Sequence, residues 1–151
     1  MGRWETVAPF YLQVLMSNNK KKILKNKYFK MAYNEMNKSV HPTRFGAVLV
    51  LKNGKVYSSH NKDSKSHPYL KKHYPFYAVS MHAELSVLLS VNSYRFGDDT
   101  KNSTMYIYRE DKHNVIKPAR PCPYCMDIIR DAGVKKLVYT YWDGYRVEYV
   151  G

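Results

Sequence analysis

Two short segments of this 151-residue chain contain residue types that can bind a metal ion. The first is His82-Ala83-Glu84, and the second, CPYC, holds the only two cysteines of the sequence, Cys122 and Cys125. Cysteines three residues apart lie on one side of a first helical turn, where unpaired backbone N–H groups favour the thiolate. Two thiolates and one imidazole form a zinc site whose fourth tetrahedral position stays open for water. Glu84 can then exchange a proton with that water.

Neither segment identifies such a site alone. A His-x-Glu pair recurs in many helices as ordinary polar surface. A Cys-x-x-Cys pair also fits a redox dithiol, or a structural zinc module without turnover. The combination is more specific, because each segment stands at the start of a predicted helix and a predicted strand separates them. It indicates a zinc-dependent hydrolytic site.

Length and composition limit the class of protein. A chain of 17.8 kDa with 44% hydrophobic residues predicts one globular domain spanning residues 1–151. The net charge of +13 favours polyanionic partners such as nucleotides or nucleic acid. The two closely spaced cysteines predict no fold-spanning disulfide, so we expect a reducing, cytoplasmic setting. The apolar stretch over residues 7–16 is too short to span a membrane, and we expect it to pack against the protein.

The pattern of apolar residues and turn signals predicts an α/β fold. The predicted elements are a helix over 22–38, a strand pair over 45–60 turning at Asn53-Gly54, helices over 81–91 and 122–132, and strands over 104–108 and 137–141. The Asp143-Gly144 turn then predicts a final antiparallel strand. We therefore expect a three-layer α-β-α architecture with a mixed five-stranded sheet in the order 2-1-3-4-5.

The segments around His82 and Cys122 resemble the signature of the cytidine deaminase-like superfamily of zinc-dependent deaminases. The resemblance covers about residues 28–151, including the hairpin GAVLVLKNGKVYSS. It implies that His82, Cys122 and Cys125 hold Zn²⁺ and that Glu84 is the catalytic proton shuttle. It further implies hydrolytic conversion of cytosine to uracil, with release of ammonia.

Three more residues become candidates for substrate binding through the same resemblance. Asn61 follows the second strand, where the family often places an asparagine that contacts base or sugar. The backbone N–H of Ala83 is placed like the family's donor to the pyrimidine carbonyl. Arg120 is suited to bidentate contacts with phosphate. We therefore expect the substrate to be a free cytidine or deoxycytidine nucleotide or nucleoside.

The alternative substrate is cytosine, or adenine, in single-stranded DNA or RNA. The positive charge would attract such a strand, and bases could stack on aromatic residues, namely Tyr69, Tyr74, Phe76, Tyr77, Tyr141 and Trp142. Residues 1–25 form an extension of unclear role. Its apolar residues predict a homo-oligomer interface or a cover for the sheet edge, and they are Trp4, Phe10, Tyr11, Leu12 and Leu15.

Overall fold

The computed structural model describes residues 10–62, 68, 72, 82–91 and 99–151. This part of the chain contains four helices of eight residues or more, α1 (Phe10–Ile23), α2 (Lys27–Met36), α3 (Ala83–Val91) and α4 (Pro123–Asp131). It contains five strands, β1 (Arg44–Val50), β2 (Val56–His60), β3 (Thr104–Glu110), β4 (Lys136–Tyr141) and β5 (Gly144–Tyr149). The predicted order of elements is confirmed for the described residues.

The five strands form one mixed sheet in the order β2-β1-β3-β4-β5, as predicted. Strands β3 and β4 are parallel, and every other neighbouring pair is antiparallel. Gly54 and Gly144 have positive φ angles of 90° and 141° in the two hairpin turns. Glycine adopts such angles without the steric cost that a Cβ brings, so the sequence signals and the turns agree.

The two faces of the sheet carry separate apolar cores. On one face, α3 and α4 cover Ala47, Leu49 and Ile107 of the central strands. On the other face, α2 covers Val48 and Tyr108. Strand residues alternate between these cores because successive side chains point to opposite sides of a sheet. This arrangement is the predicted three-layer architecture.

The predicted single helix over residues 22–38 is wrong. The chain instead forms α1 and α2, separated by a turn at residues 24–26. Asn26 caps α2, since its side-chain Oδ1 accepts hydrogen bonds from the backbone N–H groups of Tyr28 at 2.9 Å and Phe29 at 3.1 Å. A side chain that satisfies these first N–H groups starts a new helix. The lysines on both sides of this turn suit an exposed helix face, so the composition does not reveal the break.

The expectation that residues 7–16 pack against the protein is also wrong for the described part of that stretch. Phe10 and Tyr11 are 81% and 70% exposed. Helix α1 is anchored instead through its C-terminal half, where Ile23 is buried and the Lys20 ammonium lies 2.9 Å from the Glu110 carboxylate. Residues 1–9, including Trp4, lie outside the described residues, as does the side chain of Leu12.

Among the described residues, no helix combines the length and the apolar character that crossing a bilayer requires.

Candidate active site

The starts of α3 and α4 bring the three predicted metal ligands together. His82 is the residue immediately before α3, Cys122 is the N-cap of α4, and Cys125 lies in the first turn of α4. The Nδ1 atom of His82 is 3.2 Å from Sγ of Cys125. One ligand atom from each of the three residues falls within 4.8 Å of the other two.

These positions suit a divalent zinc ion. In a tetrahedral site with Zn–S near 2.3 Å and Zn–N near 2.1 Å, ligand atoms are about 3.6 to 3.8 Å apart. The separations among the ligand atoms of His82, Cys122 and Cys125 include one of 3.2 Å and reach at most 4.8 Å, a range that contains this spacing. Both cysteines are free thiols, so neither is lost to a disulfide. The three side chains therefore fit the zinc that the sequence implied.

Burial shifts the pKa values of three acid–base groups of this cluster. Burial raises the pKa of Glu84 to about 7. Burial, followed by the charges of Glu84 and Cys122, raises the pKa of the Cys125 thiol. Burial and the nearby His41 lower the pKa of His82, which favours the neutral imidazole that binds metals. A cation at the centre of the cluster would favour the deprotonated forms of the carboxylate and the thiols.

A cavity of about 180 Å³ opens directly onto this cluster. His82, Glu84 and Cys122 line it, and Phe45 supplies an aromatic wall. Glu84 is 3% exposed, so its carboxylate is nearly closed off from bulk water even though it reaches the cavity. The cavity thus joins a metal-ligand set, a buried carboxylate and an aromatic surface.

Asn61 lies at the wall of the cavity and fixes the loop around it. Its Oδ1 accepts hydrogen bonds from Ser39 Oγ at 2.7 Å and from the Phe45 N–H at 3.0 Å. Its Nδ2 donates to the Thr43 carbonyl at 2.7 Å. Asn61 is itself buried. The side chain therefore orients Phe45 at the cavity wall.

Comparison with known proteins identifies the family. The cytidine and deoxycytidylate deaminase zinc-binding region matches residues 22–141, which is most of the chain. The chain belongs to this deaminase family. A search among curated proteins found no match.

Two solved structures show the deaminase fold in this chain. Cytidine deaminase from Burkholderia pseudomallei is 20% identical, with a TM-score of 0.59 over 83% of this chain and 91% of that one. Cytidine deaminase from Mycobacterium leprae is 16% identical, with a TM-score of 0.51 over 78% of this chain and 87% of that one. At such identities the likeness concerns the fold.

Arg120 lines the cavity of this deaminase-family chain, but its guanidinium already has a partner. Nε and Nη2 each donate to a carboxylate oxygen of Glu148 at 2.9 Å. The Tyr139 hydroxyl donates to the same carboxylate at 2.9 Å. The pairing with Glu148 could not be predicted from the sequence, because 28 residues separate the two and Arg120 lies in an irregular segment outside the sheet.

Sequence reasoning missed three further residues of the deaminase cavity, His41, Thr43 and Phe45. His41 and Thr43 lie just before β1, and the Thr43 N–H approaches His41 Nδ1 at 3.1 Å. The signal was the polar segment between a helix and the first strand, because loops at strand ends often supply binding residues. Ala83 is the first residue of α3, where backbone N–H groups have no acceptor within the helix. Tyr69, Tyr74, Phe76 and Tyr77 lie outside the described residues.

Proposed function

We propose that this protein is a zinc-dependent hydrolase that deaminates cytosine to uracil in a free cytidine or deoxycytidine nucleotide or nucleoside. The observation that carries the proposal is the meeting of His82, Cys122 and Cys125 beside the buried carboxylate of Glu84, at one cavity. The zinc ion would be held by the imidazole and both thiolates, and when bound it lowers the pKa of a coordinated water to about 7.

Glu84 would transfer the protons of the reaction. Its carboxylate would accept a proton from the attacking water as oxygen adds to C4 of the base. It would deliver that proton to ring nitrogen N3. It would then move a second proton from the new C4 hydroxyl to N4, so that ammonia leaves as the C4–N4 bond breaks and the C4 carbonyl forms. Cytosine and water are thereby converted to uracil and ammonia. A buried carboxylate suits this role because burial raises its pKa and so strengthens its hold on the proton that it transfers.

The remaining cavity residues would orient the base. The backbone N–H of Ala83 would donate to the pyrimidine carbonyl O2, since the first N–H groups of a helix point outward from its start. Phe45 would pack on the ring, and the second N–H of Asn61 Nδ2 would reach the sugar. Arg120 would approach a phosphate through Nη1, because Nε and Nη2 donate to Glu148.

Three finer properties belong to the same proposal. The Zn²⁺-loaded protein would act in the cytoplasm, because a reducing compartment keeps both thiols available as ligands. The chain would form one domain, and copies would associate through the exposed apolar side chains of α1, Phe10, Tyr11, Val14 and Leu15. Light scattering coupled to size exclusion would measure that association, and a strictly monomeric protein would contradict it.

The decisive experiment follows ammonia release from zinc-loaded protein with cytidine, deoxycytidine, their monophosphates and cytosine-containing single strands. We expect turnover of the free compounds. Turnover restricted to single strands would instead select the alternative in which the enzyme acts on DNA or RNA, which the +13 charge favours.

Two variants test the assigned roles. Glu84→Gln keeps the size of the side chain and should lower kcat by about 10² to 10⁴ while leaving zinc content and melting temperature close to wild type. Normal turnover in this variant would disprove the proton shuttle. Arg120→Met should raise KM for the monophosphates and leave KM for the nucleosides unchanged, and an equal effect on both would disprove phosphate binding there.

A further inference from the structure

A surface of tyrosines and lysines lies on the face of the sheet opposite the catalytic helices. It consists of Lys27, Tyr28 and Lys30 of α2, Tyr106 of β3, Lys136 of β4, and Tyr145 and Tyr149 of β5; we call it the tyrosine–lysine surface.

Ring contacts tie these residues into one continuous surface. Tyr28 stacks on Tyr106 with 5.1 Å between ring centroids. Phe29 lies beneath them, 5.4 Å from Tyr106 and 5.8 Å from Tyr145. Because side chains alternate along a strand, Tyr149 shares the face of Tyr145. The surface therefore crosses from α2 to the edge strand.

Lysine ammonium groups lie over these rings. Lys27 Nζ is 5.0 Å from the centre of the Tyr28 ring, and Lys136 Nζ is 6.0 Å from that of Tyr149. Tyr145 and Tyr149 remain 51% and 70% exposed. Exposed aromatic rings interleaved with ammonium groups offer stacking platforms beside positive charge.

Acidic residues do not offset this charge. Residues 10–34 contain six lysines and neither aspartate nor glutamate. Within the described chain, the ion pairs of this region involve Lys20, which pairs with Glu110, whereas Lys27, Lys30 and Lys136 have no carboxylate within 4.0 Å. The two acids of the β4–β5 hairpin are themselves paired, Asp143 with Arg146 and Glu148 with Arg120.

We propose that the tyrosine–lysine surface binds single-stranded nucleic acid. The phosphates of the strand would lie against Lys27, Lys30 and Lys136, and its bases would stack on Tyr145 and Tyr149. Stacking accepts any base because every base has a π face, so this binding would be tolerant of sequence.

The chemistry of the surface favours this partner over two others. A second copy of this chain would bring lysines against lysines, which like-charge repulsion opposes. A membrane-bound face is typically rich in long aliphatic side chains, whereas this one presents tyrosine hydroxyls. The sheet separates the surface from the cavity, since Phe45 and Tyr139 belong to the opposite core. The inference is therefore independent of the proposed deamination.

The test measures fluorescence anisotropy of labelled 20-nucleotide oligothymidylate and oligouridylate with the full chain between 50 and 200 mM salt. These strands contain no cytosine, so turnover cannot interfere. The variant K27Q/K30Q/K136Q should bind at least ten-fold more weakly at 100 mM salt. The slope of the logarithm of the association constant against the logarithm of salt concentration should become shallower by about 2. Each phosphate contact on a single strand contributes about 0.7 to this slope, and the variant removes three lysines.

A matched control separates the surface from net charge. K52Q/K55Q/K112Q removes the same number of charges from exposed lysines elsewhere and should stay within about two-fold of wild type. Tyr149→Leu should weaken binding about five-fold or more, whereas Tyr149→Phe should not. Both triple variants should deaminate free cytidine at the wild-type rate, and absence of that activity in wild type would leave the binding result intact.

Four results would overturn the inference. The first is an equal loss of oligonucleotide affinity in the two triple variants, and the second is an unchanged affinity in Tyr149→Leu. The third is displacement of the bound strand by cytidine. The fourth is that the surface variants change binding to phosphatidylserine vesicles, or self-association, but do not change binding to oligonucleotides.

Discussion

Replacement of Gly46 by alanine tests how α2 is seated on the sheet. A Cβ added at Gly46 would lie 1.9 Å from the carbonyl oxygen of Ala32 and 2.7 Å from the Met36 nitrogen. Both atoms belong to the helix backbone, so no side-chain rotation relieves the overlap. Restoring a separation of 3.4 Å requires α2 to withdraw by about 1.5 Å.

The expected loss of stability follows from what α2 buries. Phe29 and Met36 are 2% and 0% exposed, and burying each contributes about 2 kcal/mol. A gap of this size forfeits at least a quarter to a half of the contact energy, or about 1.5 kcal/mol. Strain from overpacking adds about 1.5 kcal/mol. Gly46→Ala should therefore lower the free energy of unfolding by about 3 kcal/mol.

Thermal unfolding monitored by circular dichroism measures this loss. For a chain of this length, about 3 kcal/mol corresponds to a fall in Tm of roughly 6 to 12 °C. Gly54→Ala is the matched control, because Gly54 has a φ of 90° but no heavy atom within 4 Å of the added Cβ. Its cost should be about 1 kcal/mol, from backbone strain alone. A smaller loss in Gly46→Ala than in Gly54→Ala would refute the reasoning.

Three further variants test other features. Cys125→Ser should reduce bound zinc from a near-stoichiometric amount to a small fraction of it, as measured by atomic absorption after dialysis. Full retention of zinc would exclude Cys125 as a ligand. The hydrogen bonds from Arg120 lower the pKa of Glu148, so this pair stabilises the fold above pH about 4.5 and the contribution is lost as pH falls through the lowered pKa. In Glu148→Gln the free energy of unfolding should decrease less as pH falls than it does in wild type, with a difference of less than about 1 kcal/mol. The same pH dependence in both proteins would contradict the linkage. Asn26→Ala should cost about 1 kcal/mol in urea unfolding through loss of the α2 cap, and Asn26→Asp should recover most of it.

Local signals in the sequence were sufficient for most of the fold. Asn53-Gly54 and Asp143-Gly144 predicted two hairpins because their turns need positive φ angles, and the structure confirms both. The break between α1 and α2 was missed, because Asn26 can sit within a helix as well as cap one. Asn26 acts as a cap here because the burial of Phe29 against the sheet determines where α2 begins.

The candidate site divides in a similar way. The metal-binding residues could be predicted from the sequence, because two short motifs place His82 at the start of one helix and both cysteines at the start of another. The structure brings the three side chains together. The pairing of Arg120 with Glu148 had no such motif. It depends on how the loop before α4 runs along β4, where the Ala119 N–H donates to the Thr140 carbonyl at 2.9 Å, and local sequence patterns do not specify that path.

The geometry also explains why the ligands stand before and at the start of their helices rather than within them. Residues at a helix start combine an orienting backbone with N–H groups that stabilise negative charge. Cys122 and Cys125 lie at the start of α4, and Glu84 lies in the first turn of α3, where it is covered by the protein. His82 and Cys122 thus line the cavity, whereas Cys125 is covered and the Glu84 carboxylate is desolvated.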